Sequence, residues 1–426
     1  MIGRRAALTV LAVLALLAAG CDAIARPSGS TGPADSFGAG PPTPHPAFGL
    51  TWAQVEDVER PIDAFASAIP TAPSGPGTAG HPGHFPGQSI LADVAVDGDR
   101  LVAVGYTFIA GAWTADAWTS TDSLHWALAT VDTRPGSFAV GVATAPGGGF
   151  VAVGRVADAP AAWTSPDGRT WQPATVERLA AGARAGEPER MATLLATRSG
   201  FLAGGSAGPE LGDRQARLWR STDGTTWTAV SDRDGFAGGE VVALAEADGG
   251  SALIALGRLG TGQRATGSVA WTATGGDDWI RHDDPALAAG LVAAVAPAPG
   301  GGWLAVGSDG DEREALAWSS VDGASWTTAP REPSRLHSGE KIRMTDVIAT
   351  DRGFVAIGNF VGVQYGDGTS WLSVDGTTWQ AAPLQASLGQ GEPEAIVAWQ
   401  DRLVIVGSRG APDNYIPTAW VGPTAP

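Results

Sequence analysis

Ser165-Pro166-Asp167-Gly168-Arg169-Thr170-Trp171 decides the fold, because the same Ser-x-Asp-Gly-x-x-Trp arrangement returns at Ser221–Trp227, Ser320–Trp326 and Ser373–Trp379. Ser and Asp side chains accept hydrogen bonds from backbone N–H groups just ahead of them, and Gly takes a positive φ without steric cost, so each stretch encodes a self-held tight turn. Working outward, every turn lies between two tryptophans eight residues apart: Trp118/Trp126, Trp163/Trp171, Trp219/Trp227, Trp271/Trp279, Trp318/Trp326 and Trp371/Trp379. Upstream of each pair stands an apolar run that ends in glycine, at Gly105, Gly154, Gly205, Gly257, Gly307, Gly358 and Gly407, with spacings of 49 to 52 residues. A near-continuous apolar run of five residues is the signature of a strand covered on both faces. A period near 50 built from strands and turns, without helical periodicity, predicts four-stranded β-propeller blades.

Seven units are counted, so the fold class is all-β and the expected architecture a seven-bladed propeller over residues 48–426. Labelling strands a to d from the axis outward, the seventh unit supplies a, b and c (Thr418-Ala419-Trp420-Val421) and then stops. Leu50-Thr51-Trp52-Ala53-Gln54-Val55 reads as its missing strand d, with Trp52 in the place of Trp171. An amino-terminal strand that completes the last blade leaves no unpaired edge. Composition agrees: 44% hydrophobic residues are too many for a disordered chain, and 60 glycines with 30 prolines too many for a helical bundle. A net charge of −17 with a single lysine, Lys341, argues against nucleic acid, whose binding rests on Lys and Arg displacing counterions.

The turns resemble the Asp-box, or BNR, repeat of sialidase-like propellers, with Asp122, Asp167, Asp223, Asp322 and Asp375 as the box aspartates. The spacing is one residue tighter than the commoner form, the first box (Asp122-Ser123) lacks glycine, and the fourth unit (Thr272-Ala273-Thr274-Gly275) lacks the aspartate. A feature repeated in five units at the same place is read as turn chemistry, not as catalysis or metal binding. The resemblance implies that a glycoside hydrolase is the enzymatic alternative. Its arginine-triad motif is not matched, Glu59-Arg60-Pro61-Ile62 being only a superficial echo, and catalytic sialidases resemble six-bladed rings.

The amino terminus reads as an address. Arg4 and Arg5 precede an apolar run from Ala6 to Ala19, shorter than the roughly 20 residues a spanning helix needs, which makes residues 1–20 a secretory signal. Leu17-Ala18-Ala19-Gly20-Cys21 resembles the lipobox of bacterial lipoproteins, which implies cleavage before Cys21 and its lipidation. Cys21 is the chain's one cysteine, which fits an acylation point better than a disulfide framework. Residues 21–47, rich in Gly, Ser and Pro, form the expected disordered tether. The expectation is an extracytoplasmic, lipid-anchored, monomeric head whose membrane contact is Cys21 alone.

Function is sought where the repeat varies, in the b–c and d–a connections around the mouth of the channel. All three tyrosines fall in b–c connections. Tyr106 with Trp113 belongs to blade 1, Phe360 and Tyr365 to blade 6, and Tyr415 to blade 7, so the closed ring places them side by side. Such aromatics suit a sugar ring or a protein partner's side chain. Arg343, Glu392 and Glu394, from d–a connections, add charge beside them, and any catalysis would run through Tyr365 or the two glutamates. No nucleophile elbow, His-Glu-x-x-His or phosphate loop is present, and neither a cofactor nor a metal is called for. The function expected is a non-catalytic binding or scaffold module for a carbohydrate or a surface protein.

Overall fold

The computed structural model describes residues 50–61 and 87–423, apart from the short segments 179–185, 210–213, 231–235, 248, 262–263, 275–277, 331–340, 362–365, 384–386 and 411–414. The chain forms seven sheets, each built on four antiparallel strands, arranged as a seven-bladed β-propeller. The innermost strands are Ser89–Asp97, Ser137–Thr144, Glu189–Thr197, Glu240–Glu246, Gly290–Pro297, Lys341–Thr350 and Glu392–Trp399. Each packs between its two neighbours, the last against the first, so the ring is closed. Blade 7 is completed by the amino-terminal strand Ala53–Gln54, which pairs with Val421 and Trp420. Trp52, just before it, is fully buried and donates from Nε1 to Ser370 Oγ of blade 6 at 2.9 Å. The expected closure is therefore present, although the closing strand is two residues long instead of six.

Seven hydrophobic clusters are found among the described residues, and each lies between two adjacent blades, as with Trp118, Trp126, Val404 and Val406 between blades 1 and 7. This explains the unbroken apolar runs: strand b, as in Leu101-Val102-Ala103-Val104, alternates between two apolar interfaces instead of one interface and solvent. The glycine that ends each run has a separate cause. Every innermost strand carries one extra residue at the same place, the bulges at Ala92, Val140, Ala192, Val242, Ala293, Thr345 and Glu394. The bulge lowers the preceding carbonyl onto the run's last residue, so a Cβ at Gly105 would stand 1.9 Å from Ile90 O and one at Gly358 2.0 Å from Arg343 O. Only glycine fits there.

The Ser-x-Asp-Gly turns behave as their sequence requires. At Ser221–Trp227, Gly224 N donates to Ser221 Oγ at 2.8 Å, Thr225 N and Thr226 N donate to Asp223 Oδ1 at 2.8 and 3.0 Å, and Trp227 Nε1 donates to Gly224 O at 2.9 Å. These bonds, those from Thr226 first, hold the Asp223 carboxyl down at about 2. The same pattern surrounds Asp167, Asp322 and Asp375. At Asp122 it persists with Ser123 forced to a φ of +64° in glycine's place.

Two short strands were not expected. Asp57–Val58 adds a parallel fifth strand to blade 1, and Thr175–Val176 does so for blade 3. In both, the crossing chain offers a glutamate carbonyl to the inner tryptophan: Trp118 Nε1 donates to Glu59 O at 2.8 Å, and Trp219 Nε1 to Glu177 O at 3.2 Å. Among the described residues, no helix is long and apolar enough to cross a membrane.

Candidate functional site

The bulges define a register for the channel mouth. Two residues before each bulge, the innermost strands place Ile90, Phe138, Arg190, Glu240, Leu291, Arg343 and Glu392, and strand b pairs these with Tyr106, Arg155, Ser206, Arg258, Ser308, Asn359 and Ser408. The backbone is the same in all seven blades, whereas the side chain at the innermost-strand position changes between most of them, with Arg shared by blades 3 and 6. The mouth therefore divides into sectors.

Blades 1 and 2 make an aromatic sector. Tyr106 stands edge-on to Trp113 (centroids 5.2 Å apart) and to Phe138 (4.9 Å), and Phe108 meets Trp113 at 5.3 Å. Arg155 lies over the Phe138 ring, 4.1 Å from its centroid, a cation–π arrangement. Blade 7 adjoins this sector. Tyr415 gives its carbonyl to Ser89 N of blade 1 at 3.0 Å, and its hydroxyl donates to Glu392 Oε1 at 3.3 Å. Burial first, and the Glu392 carboxylate second, push the Tyr415 phenol above its ordinary range. Burial and then Glu394 push Tyr106 up to about 12. Both phenols are thus kept neutral.

Glu394 occupies a bulge where the other six blades carry Ala, Val or Thr. Its carboxyl is raised to about 7, chiefly by burial, with Glu392 and Asp346 adding to the rise and Arg343 and Arg258 opposing it. Arg343 donates from Nε to Asn359 Oδ1 at 3.2 Å and lies 3.6 Å from Glu312 Oε1. Asn359 is fully buried, and its Nδ2 has no partner among the described residues. Deeper in the channel, Asp93 and Asp346 each bridge two blades: Asp93 accepts from Val94 N and from Val142 N of blade 2 at 2.8 Å each, and Asp346 from Val347 N at 2.8 Å and Ile396 N of blade 7 at 2.9 Å. Burial raises both to about 7.

Blades 3 and 4 make a closed ionic sector. Glu240 accepts from Arg190 at 2.5 and 2.7 Å, from Arg214 Nη1 at 3.0 Å and from Ser206 at 3.2 Å. That cluster seals the seam between two blades. Among the described residues, no three His, Cys, Asp or Glu side chains converge as metal ligands.

Of the residues chosen from the sequence, Tyr106, Trp113, Tyr415, Glu392, Glu394 and Arg343 lie in this part of the mouth. Their places differ from expectation: Tyr106 and Phe360 end strand b, Trp113 begins strand c, and Arg343, Glu392 and Glu394 belong to innermost strands. The expected loops are shorter because the hairpins extend to the rim. Phe360 pairs with Ile342 and Asp367 in the ladder, and no ring contact links it to the aromatic sector among the described residues. Tyr365 and Cys21 lie outside the described residues. Phe138, Arg155 and Arg258 were missed. The signal for Arg155 and Arg258 was register, since the residue after every run-ending glycine is the strand b member of the mouth, and Phe138 is the innermost-strand partner of Arg155.

No family model and no curated protein matches the sequence. Among solved structures, it is similar to a protein of unknown function from Dyadobacter fermentans (14% identity, 79% of this chain and 94% of that one, TM-score 0.45). It is similar to Trypanosoma rangeli sialidase (12% identity, 79% and 55%, TM-score 0.42) and to an ancestral GH74 enzyme (11% identity, 79% and 48%, TM-score 0.49). Likenesses this remote decide nothing about chemistry.

Proposed function

We propose that the protein is a non-catalytic carbohydrate-binding head, held outside the cytoplasm by lipid on Cys21, with residues 1–20 as signal, 21–47 as tether and 48–426 as propeller. The address rests on the sequence alone. The binding reading is carried by the aromatic sector: Tyr106 stands edge-on to Trp113 and to Phe138 at the rim beside the Tyr415–Glu392 hydrogen bond. Half-buried rings next to paired hydroxyl and carboxylate groups suit the apolar face and hydroxyl edge of a sugar. The Asp-box resemblance points toward the same ligand class.

The Tyr415–Glu392 pair also favours a second reading, a glycoside hydrolase in which Glu394, raised to about 7, supplies the general acid. The direction of the tyrosine shifts weighs against it. A nucleophilic phenolate needs a lowered pKa, and both phenols are raised. A glycan array probed with the full chain and with the Tyr106/Tyr365/Tyr415→Ala variant, followed by a product assay on each hit, tests both. Binding lost in the variant without product supports the head. Turnover abolished by Glu394→Gln establishes the hydrolase, and binding that ignores the variant sinks the site.

A further inference from the structure

At the mouth register of the innermost strands, an arginine of one blade precedes a glutamate of the next at two junctions: Arg190 and Glu240 in blades 3 and 4, and Arg343 and Glu392 in blades 6 and 7. Strand b completes each set, with Ser206 beside Arg190 and Asn359 beside Arg343. The same three positions are thus filled in kind at both. They are not joined in kind. Glu240 crosses its junction to accept from Arg190 at 2.5 and 2.7 Å and from Ser206 Oγ at 3.2 Å. Among the described residues, no ion pair joins Arg343 to Glu392: Arg343 turns to Asn359 Oδ1 at 3.2 Å and to Glu312 at 3.6 Å, and Glu392 to the Tyr415 hydroxyl at 3.3 Å.

Two residues account for the difference. Arg214, two residues before Ala216, the strand c partner of Ser206, adds a second guanidinium to Glu240 at 3.0 Å, whereas Gly366 holds the corresponding place before Gly368 in blade 6. Arg343 is also shared, because Glu312, itself 2.6 Å from Lys341 Nζ, draws it away. The open junction carries a cost. A guanidinium has only donors, so the Asn359 atom facing Arg343 is the amide oxygen, which leaves Nδ2 of this fully buried side chain as a donor without an acceptor. Such a group is expensive to keep, and a native structure that keeps one has a reason for it. The register sets the Glu392 carboxylate across the junction from Asn359 as it sets Glu240 across from Ser206. Glu392 is half-buried, and its one hydrogen bond is long.

We propose that Glu392 is a latch with two seats: the Tyr415 hydroxyl, where the structure holds it, and the Arg343–Asn359 pair, where it takes up the contacts that Glu240 makes at the closed junction. Each seat satisfies what the other leaves open. In the first, the carboxylate lies beside the aromatic sector and Asn359 Nδ2 goes unpaired. In the second, Asn359 and Arg343 are satisfied and the Tyr415 hydroxyl is released. The consequence for ligands rests on the reading of the mouth as the binding face. Unlatched, the mouth offers a carboxylate to a ligand's hydroxyl donors; latched, it offers the phenol. A ligand that donates to Glu392 therefore binds in proportion to the population of the first seat.

The test follows both ends of the latch by NMR in the full chain, which has two asparagines, Asn359 and Asn414, and three tyrosines. Isotope-labelled Asn and Tyr give few signals, each assigned by single substitution. Side-chain rotation is fast, so each signal reports the average over the seats. Arg343→Met, at a half-buried position, removes the cation of the second seat. Asn359→Asp keeps the acceptor for Arg343 and replaces the donor with a like charge. Both are expected to shift the Tyr415 ring signals toward the carboxylate-bound form, and Glu392→Ala to shift them the opposite way and to move the Asn359 amide protons. In the Glu392→Ala background, neither Arg343→Met nor Asn359→Asp should move Tyr415, which separates the latch from a through-space effect of charge. Arg343→Met decides alone if Asn359→Asp misfolds. Tyr415 signals that ignore these variants, or that move as far without Glu392, overturn the proposal. So do Asn359 amide protons that ignore Glu392→Ala, since another acceptor or a water then holds them. No ligand is needed, so failure of the latch leaves the mouth reading to the glycan array.

Discussion

The two faces of the ring are built from the same repeat and obey opposite rules. On the turn face, four junctions share one device, a positive-φ glycine pinned by a serine and an aspartate and seated on the neighbouring blade. At the mouth, the corresponding register carries isoleucine, phenylalanine, arginine, glutamate and leucine in turn on an unchanged backbone. The difference is one of contact. The turn glycine touches a neighbouring core, so its identity is fixed by packing. The mouth side chain projects from an edge that the bulge has already shaped, so the backbone asks nothing of it.

The comparison predicts its largest effect at the closure, where core and edge coincide. Trp52→Ala removes a fully buried ring and its hydrogen bond to Ser370, and should cost about 3–5 kcal/mol in urea denaturation. A loss under about 1 kcal/mol would show that the amino-terminal strand is dispensable and the ring closed by blades 1 and 7 alone.

Next comes the turn face itself. Gly224→Ala must hold a Cβ at a φ of +75° and 2.6 Å from Val151, and is expected to cost about 2–3 kcal/mol. Ile90→Gln, at the half-buried mouth register, should cost under about 1 kcal/mol. Equal costs would erase the distinction between the faces.

The ring was legible because its causes are local and repeated. Apolar runs, run-ending glycines and paired tryptophans each answer one contact that recurs in every blade, so one blade's reading is checked by six others. The parallel strands at Asp57–Val58 and Thr175–Val176 were not legible, since each occurs in a connection with no counterpart in the other blades. At the mouth, Tyr106 and Glu392 were visible as unusual residue types, but Phe138 and Arg155 looked like ordinary strand residues. Their role depends on a bulge, whose mark in the sequence is the run-ending glycine beside them and not the residues themselves.

A third prediction concerns pH. Glu394, Asp93 and Asp346 are raised to about 7 in the folded ring, against about 4 for a carboxyl in an unfolded chain. Between these values the native state binds more protons than the unfolded state, so stability is fully present below about pH 4 and is lost as pH rises through 7. Glu394→Gln should flatten part of that slope between pH 5 and 8 in thermal melts. Glu394 keeps some surface open to the channel, and screening by water there limits its share to about 1 kcal/mol. An unchanged slope would assign the effect to Asp93 and Asp346, whose bridges to blades 2 and 7 would then be the joints that weaken as pH rises.

The smallest effect separates binding from support within the mouth. Tyr415 reaches Glu392 through its hydroxyl at 3.3 Å, but it holds blade 1 through its backbone carbonyl on Ser89 N. Tyr415→Phe deletes the first contact and spares the second, so stability should fall by no more than about 0.5–1 kcal/mol, the net worth of one hydrogen bond. The Glu392 carboxylate loses a donor and becomes free to take one from a ligand. If the mouth binds through that carboxylate and the aromatic rings, Tyr415→Phe should keep glycan affinity within about threefold of the parent, while Glu392→Gln weakens it more. A larger loss from Tyr415→Phe than from Glu392→Gln would move the contact from the carboxylate to the phenol.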